Sequence, residues 1–411
     1  MNSLNNGTFQ QFYSRRMQVK HYKSDVFRAI ASFEEQAILK EGDTVHRPYR
    51  SLVVAQRYTR GQAVAIQDLT NTDQTLTVNT AQIVPYYIDD LDQLQTNYKL
   101  INDYADDSAV LLGNLIDADV ISAGQIAAGS VVDDGDLGGT AGNYFTVSTA
   151  NILSVFSAAK KKMKRLNITD GPFFAVISPD MEAKLIDYLA GKNTDLGDAS
   201  NMNGHIGMFY GFDLYVSNNL PWTGTLKLAT NPTAGDFVTI SGVQFTFVAA
   251  IGTTPGNVLI GGSAAATRAN LEALINAPGT TTATGVALSN TRANSVTPSP
   301  REMFQGVSAT DVTTGGNAWT VVYGKGVSYF TVTASLTAGT DGWVLTQSGQ
   351  HQLFGKKMGI DVVIQMRPNV EIKDVPDKLG KNVLPWTLYG YNVFAEQVPM
   401  LVDIKMRSDN F

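Results

Sequence analysis

The chain carries 411 residues, 44% hydrophobic and 17% charged, with a formal net charge of −6 and no cysteine. At roughly 150 residues per domain this is core material for two or three folded domains, which excludes a disordered or acidic-tail protein. The acidic balance excludes bulk electrostatic attachment to nucleic acid, and the lack of cysteine excludes disulfides, a thiolate nucleophile and a zinc ribbon.

In chain order, Met1–Gln11 is rich in Asn and Gln without an apolar signal-peptide core. No unbroken apolar run reaches the ~18 residues of a membrane span, so a soluble chain made in a cytoplasm is expected. Val26, Ile30, Phe33, Ala37 and Ile38 recur at helical spacing and predict a helix over Asp25–Lys40. Three strand-like pieces follow, Ser51–Gln56, Gln62–Gln67 and Thr75–Val84. They hold too little apolar material for a core of their own and need another surface to lie on. Leu91, Leu94, Tyr98, Ile101, Ala105, Ser108, Leu112 and Leu115 then mark a long helix to Ala118, opened by Asp89, Asp90 and Asp92 where the helix dipole favours anions. Such a stripe suits one face packed on a sheet, or a two-chain coiled coil if more heptads were present.

Thr149–Leu166 reads as a second helix burying Ile152, Val155, Phe156, Ala159 and Met163. It ends in the basic run Lys160–Lys162, Lys164 and Arg165, which either matches the helix dipole on a wet face or contacts DNA. Phe173–Ile177 is a buried strand; Ser178-Pro179 caps the next helix, whose face is Leu185, Ile186 and Leu189 and whose stop is Gly191. Composition then changes. Residues 223–350 hold 10 charged residues in 128, against 58 in the other 283. Within them Val238–Ile240 and Val243–Val248 flank a Ser-Gly turn, Trp319–Tyr323 and Ser328–Thr333 flank Gly324-Lys325-Gly326, and Thr267–Asn276 reads as a helix. This segment is expected to be a self-contained β-rich insertion. Ile360–Met366, Asn369–Lys373, Thr387–Ala395 and Leu401–Met406 are the closing strands.

No chemistry emerges from the motifs. His21, His46, His205 and His351 lack metal-ligand spacing, and Gly261-Gly262-Ser263 lacks the lysine of a phosphate loop. Asp133–Asp136 lacks the length and terminal glutamate of a calcium loop and reads as a solvated acidic turn. Ser157-Ala158-Ala159-Lys160 and Ser408-Asp409-Asn410 match two short hydrolase motifs, but no K-T-G strand accompanies them. No catalytic, cofactor-binding or metal residue is expected.

Three stretches carry a family resemblance. In Val45–Leu94 these are Tyr58-Thr59-Arg60-Gly61, Ile66-Gln67-Asp68-Leu69, Thr75-Leu76-Thr77-Val78 and Tyr86–Asp90. In Phe173–Pro221 they are Phe174–Pro179, Gly204-His205-Ile206-Gly207 and Gly211–Pro221, and in Lys357–Asp403 they are Ile360–Gln365 and Leu388–Val393. Their order resembles the major capsid proteins of tailed bacteriophages, the Hong Kong ninety-seven-like fold. The resemblance implies an α+β capsid fold: an N-terminal arm over 1–40, an extended β-loop with its return strand over 41–90, and a peripheral domain with its spine helix over 91–144. It further implies an axial domain over 145–222 and C-terminal strands over 351–411 that complete both domains, with 223–350 inserted as a surface domain.

It also implies a virion shell protein assembled in the bacterial host cytoplasm. Its expected partners are further copies of itself as pentamers and hexamers, a separate scaffolding protein (only some 40 residues precede the loop), a portal, weakly held DNA and a decoration protein. No membrane partner is expected. Some members weld their shells through a loop lysine, yet no lysine lies between Lys40 and Lys99. Arg47, Arg50, Arg57 and Arg60 stand there instead and are expected to meet carboxylates of the next subunit. A tail or surface binding module, or an encapsulin-like shell, is the alternative.

Overall fold

The computed structural model describes residues 23, 25–37, 39, 42–64, 66–95, 100–190, 192, 207–294, 297–312, 319–326, 330–376 and 378–407. Most of the expected arm, Gly191 as a helix stop, His21, His205, Gly204-His205-Ile206, Ser328 and Ser408-Asp409-Asn410 lie outside them.

The chain opens with a single helical turn, α1 (Phe27–Ile30). Strands β1 (Thr44–Tyr49) and β2 (Thr72–Thr77) pair antiparallel, followed by β3 (Thr80–Ile83) and β4 (Tyr86–Asp89). Helices α2 (Asp90–Gln95) and α3 (Leu100–Ile126) lead to the short strands β5 (Ser130–Val132) and β6 (Phe145–Thr146). Next come α4 (Ile152–Arg165), β7 (Phe173–Ile177), α5 (Pro179–Ala190), β8 (Met208–Phe209), β9 (Phe212–Val216) and β10 (Trp222–Lys227). The charge-poor segment supplies β11 (Phe237–Ile240), β12 (Val243–Val248), β13 (Asn257–Leu259), α6 (Ala264–Asn276), α7 (Pro300–Met303), β14 (Val307–Val312), β15 (Trp319–Gly324), β16 (Val332–Ser335) and β17 (Gly342–Trp343). The last strands are β18 (Gly349–Lys356), β19 (Asp361–Asp374), β20 (Gly380–Asn392) and β21 (Leu401–Arg407).

An 11-stranded mixed sheet runs β14-β15-β10-β18-β7-β9-β8, with β21 alongside β18 and the short β5 and β6 parallel to β21. The uninterrupted apolar run of β7 reflects cover on both faces. Phe173, Ala175 and Ile177 pack with α4 and α5 residues Val155, Phe156 and Leu185, whereas Phe174 and Val176 face Ile116 and Val120 of α3. A second sheet is the β19–β20 hairpin with β3 and β4 along the outer edge of β20.

Four expectations change. The helix over Asp25–Lys40 breaks after one turn because tertiary bonds replace helical ones. Asp117 accepts from Val26 N and Phe27 N, Ser32 bridges to Asp361, and the Gln36 side chain bonds both Ile364 N and O. Among the described residues no strand forms at Ser51–Gln56 or Gln62–Gln67, where the Gln67 side chain bonds the Val54 backbone and Gln62 N donates to Thr59 O in a turn. The spine helix runs on to Ile126, because Val120 and Ile121 continue its buried face and Gly124 lets Ile360 approach. Its buried stripe is Leu112, Ile116 and Val120, while Leu91, Leu94 and Leu115 are exposed. Asp103–Ile126 is long and apolar enough to cross a membrane, but half of its apolar window is buried within the protein and it carries Asp117 and Asp119 into the core. It is a core helix.

The fourth change concerns the charge-poor segment. The chain leaves the central sheet at Lys227, re-enters it as β14 and β15, and comes back beside β10 at Gly342, the cross-strand partner of Lys227. Between them β13-β12-β11-β16 and α6 form a small α/β layer. The expected pairing of Trp319–Tyr323 with Ser328–Thr333 does not occur. Both edges of β15 are occupied, by β10 and β14, and β16 joins β11 instead. The segment shares its sheet with the rest of the chain, because β14 and β15 extend the central sheet, but its core of Leu226, Val238, Phe245, Leu271 and Phe330 is its own apart from Trp222.

Candidate assembly surfaces

The long excursion between β1 and β2 is rooted firmly and bare at its tip. At the root, Val45, Leu76 and Val78 pack on Val363 and Phe394. Asn392 Nδ2 donates to Thr75 O (2.8 Å) and Gln74 Oε1 accepts from Ala395 N (2.9 Å). Beyond Tyr49 regular structure ends. Leu52, Val53, Val54, Tyr58, Val64, Ile66 and Leu69 are all exposed, Leu52 by 86% and Ile66 by 95%. Single apolar side chains on a surface need no explanation, but seven within eighteen residues form a surface that water pays to wet.

The four loop arginines separate. Arg47 meets carboxylates of its own chain: Asp361 at 2.9 Å and Glu396 at 2.6 Å, with its guanidinium 5.0 Å from the Phe394 ring centroid. Burial pushes the Asp361 carboxyl above its ordinary range, with Arg47 opposing the shift. Arg50, Arg57 and Arg60 stand exposed on the unstructured stretch.

Two polar clusters tie the pieces together. Along α3, Asp117 Oδ1 accepts from Val26 N (2.9 Å) and Phe27 N (2.7 Å), while its other oxygen accepts from Asn219 Nδ2 at 2.6 Å. Two residues on, on the other side of the helix, Asp119 pairs with Lys325 at 2.5 Å and accepts from Tyr389 OH at 2.5 Å. Lys23 Nζ donates to Gly326 O (2.6 Å) and Asn218 O (3.1 Å). Burial lowers the Lys23 ammonium to about 8 and raises the Asp117 carboxyl and the Tyr389 phenol. The arm, the spine helix and the tip after β15 thus share one set of charges. Asp117 and Asp119, the two acids in the mostly apolar C-terminal half of α3, are the sequence signal for this cluster.

The second cluster centres on His351 of β18. Its Nδ1 lies 2.9 Å from Asp403 of β21, and its Nε2 lies 2.9 Å from Tyr144 OH and 2.8 Å from Thr223 Oγ1. The sequence carries no local sign of it, since its members lie far apart. The order Tyr-His-Asp resembles a proton relay, but Tyr144, His351, Asp403 and Thr223 are each at most 8% exposed. Buried and mutually hydrogen-bonded, they serve as a satisfied core network joining three strands.

The motif candidates resolve structurally. Lys160 Nζ donates to Tyr210 O at 2.8 Å, and no hydrogen bond joins it to Ser157 among the described residues. Asp133–Asp136 forms a capped turn, with Asp133 accepting from Gly142 N and Asp136 paired to Lys162. Among the described residues no group of acids and histidines is placed to hold a metal.

Residues 72–261 match the family model for phage capsid proteins. Among curated proteins the sequence finds no match. Solved structures agree over nearly the whole chain. A Mycobacterium phage Che8 chain is 13% identical with a TM-score of 0.58, covering 98% of each chain. A chain from the capsid structure of the cyanophage P-SCSP1u is 11% identical with a TM-score of 0.55, covering 97% of this chain and 93% of that one. At such identities the likeness is one of fold, and it coincides with the family match. A rooted excursion with a bare apolar tip and a long helix beneath a hairpin sheet belong to a fold shared with chains of phage capsids, the Hong Kong ninety-seven-like fold, and residues 72–261 match the phage capsid protein family.

Proposed function

We propose that this chain is a phage capsid protein, structural rather than enzymatic, that self-assembles through pentamers and hexamers into a closed icosahedral shell around double-stranded DNA, built in the bacterial host cytoplasm with a separate scaffolding protein and a portal. The observation that carries this reading is the bare apolar tip of residues 50–71. A single chain cannot cover it, whereas a neighbouring copy supplies cover to every loop in a closed ring. A groove of about 600 Å³ beside the spine helix, lined in part by Phe27, Phe33, Val110, Ile116 and Ile364, offers apolar surface of the kind those side chains need.

In this reading residues 41–90 form the extended loop, 91–144 the peripheral domain and 145–222 the axial domain. The C-terminal strands complete both, and 223–350 is a surface domain on the outer face, where a decoration protein would also bind. Arg50, Arg57 and Arg60 reach carboxylates of the next subunit, each exposed pair adding about 0–1 kcal/mol and repeating over every copy. Negative-stain microscopy with sedimentation, on the protein expressed alone and with candidate scaffolds, tests the proposal. Closed shells of uniform diameter are expected. Free monomers or open rings in every combination would overturn it.

A further inference from the structure

Helix α4 carries a charge arrangement that neither its packing nor its dipole requires. Its buried face is Ile152, Val155, Phe156, Ala159 and Met163. Opposite that face, Ser157, Lys160, Lys161, Lys164 and Arg165 line a shallow concavity of about 410 Å³ closed by Tyr210. Lys162, in the middle of the run, turns away to Asp136 and the Val131 carbonyl. The remaining four cations meet no carboxylate within ion-pair distance among the described residues. Lys164 and Arg165 suit the helix C-terminus, but the dipole's reach ends within the last turn, and Lys160 and Lys161 lie before it. Lys160 is also held in place, donating to Tyr210 O at 2.8 Å with its ammonium 5.3 Å from the Tyr210 ring centroid. On a chain of net charge −6, a fixed stripe of four uncompensated cations is a local exception.

We infer that this stripe is a contact for the phosphate backbone of duplex DNA, which puts this face of α4 on the inner wall of the shell. The inference rests on the shell reading above and deepens it by locating the DNA contact. From Ser157 to Arg165 a helix rises ~12 Å, the axial span of about three phosphates on one strand. Protein partners need an apolar centre to bury, and no aliphatic side chain lines this concavity. Interfaces with DNA are instead polar and strongly basic. Four cations neutralise a few phosphates only, so the contact is weak, independent of base sequence and screened by salt. A wall that must accept and release a whole genome needs those properties.

The test is titration of a fluorescent DNA duplex with the full, unassembled chain across a salt series. For about three neutralised phosphates a log–log salt slope of roughly −2.7 is expected, with about 40-fold weaker binding at 200 mM than at 50 mM salt. The triple variant Lys161→Glu, Lys164→Glu, Arg165→Glu changes exposed positions only, and circular dichroism checks its fold. It should lose most of the binding and most of the slope. The charge-matched control Lys373→Glu, Lys378→Glu, Lys381→Glu, at the far end of the β19–β20 hairpin, should lose neither. Equal losses in both variants would reduce the effect to net charge and overturn the assignment. A polyglutamate peptide binding the stripe more tightly than the duplex would also overturn it, in favour of an acidic protein partner. Shell formation is scored separately by microscopy, so failure to assemble and failure to bind DNA are distinct results.

Discussion

At the residue scale, Arg47 shows how one cation can anchor a flexible excursion. It closes the root of the loop over Asp361, whose side chain is 2% exposed, and over Glu396. Replacing it as Arg47→Met leaves a buried carboxylate with the Gln397 amide as a remaining partner at 3.0 Å. Leaving such a charge uncompensated costs about 2–4 kcal/mol at pH 7. The pH dependence has a definite sign. Burial already holds the Asp361 pKa above the ordinary 3.8, and removing the guanidinium raises it further. A carboxyl with a raised folded pKa binds its proton more tightly when folded, so its contribution to stability is lost as pH rises from 3.8 through the folded value. The deficit of the variant should be large at pH 7 and shrink towards pH 4, as followed by thermal unfolding at both. An equal melting temperature for variant and parent at pH 7 would remove Arg47 from this role.

At the element scale, the loop behaves as a beam fixed at one end. Its root crosses β20 so closely that a Cβ at Gly390 would stand 2.4 Å from Thr77 O and 2.8 Å from Val78 Cα, both backbone atoms that cannot swing aside. Gly390→Ala must therefore push the β2–β3 junction off the sheet, at about 1–3 kcal/mol. Because the root sets the direction of the tip, the expected outcome is a fall in shell yield with far-ultraviolet circular dichroism unchanged. Normal yield would show that the loop's aim does not depend on this crossing. The spine helix follows the same logic: its C-terminal half is buried by two sheets, while its N-terminal half keeps Tyr104, Val110 and Leu111 exposed.

At the scale of the whole molecule, the charge-poor segment is grafted through a narrow junction yet shares a sheet with its host. Lys227 and Gly342 are cross-strand partners, so residues 228–341 can be replaced by an Asn-Gly hairpin turn. The shortened chain should keep α3, α4 and the β7-β18 pairing. It should nonetheless be less stable and more prone to aggregate, because β10 becomes an edge strand and Trp222 and Leu226 lose Val322 and Phe330. Differential scanning calorimetry and light scattering would read both effects. A shortened chain with unchanged melting temperature and normal shells would show that the segment does not stabilise its host.

What the sequence determined by itself was whatever local periodicity encodes. The face of α4, the doubly covered run Phe173–Ile177, the Pro179 helix start, the β11–β12 hairpin and α6 each follow from patterns within about fifteen residues. The absence of any motif with catalytic spacing, and the order of family-like pieces, were legible in the same way. The tertiary structure alone decided the contacts whose partners are remote in sequence. Asp117 interrupts a helix 91 residues before it, Arg47 finds Asp361 314 residues on, and β15 forsakes its sequence neighbour for β10. A side chain's local pattern states that it must be buried or paired, but the choice among distant partners belongs to packing, which no window of sequence contains.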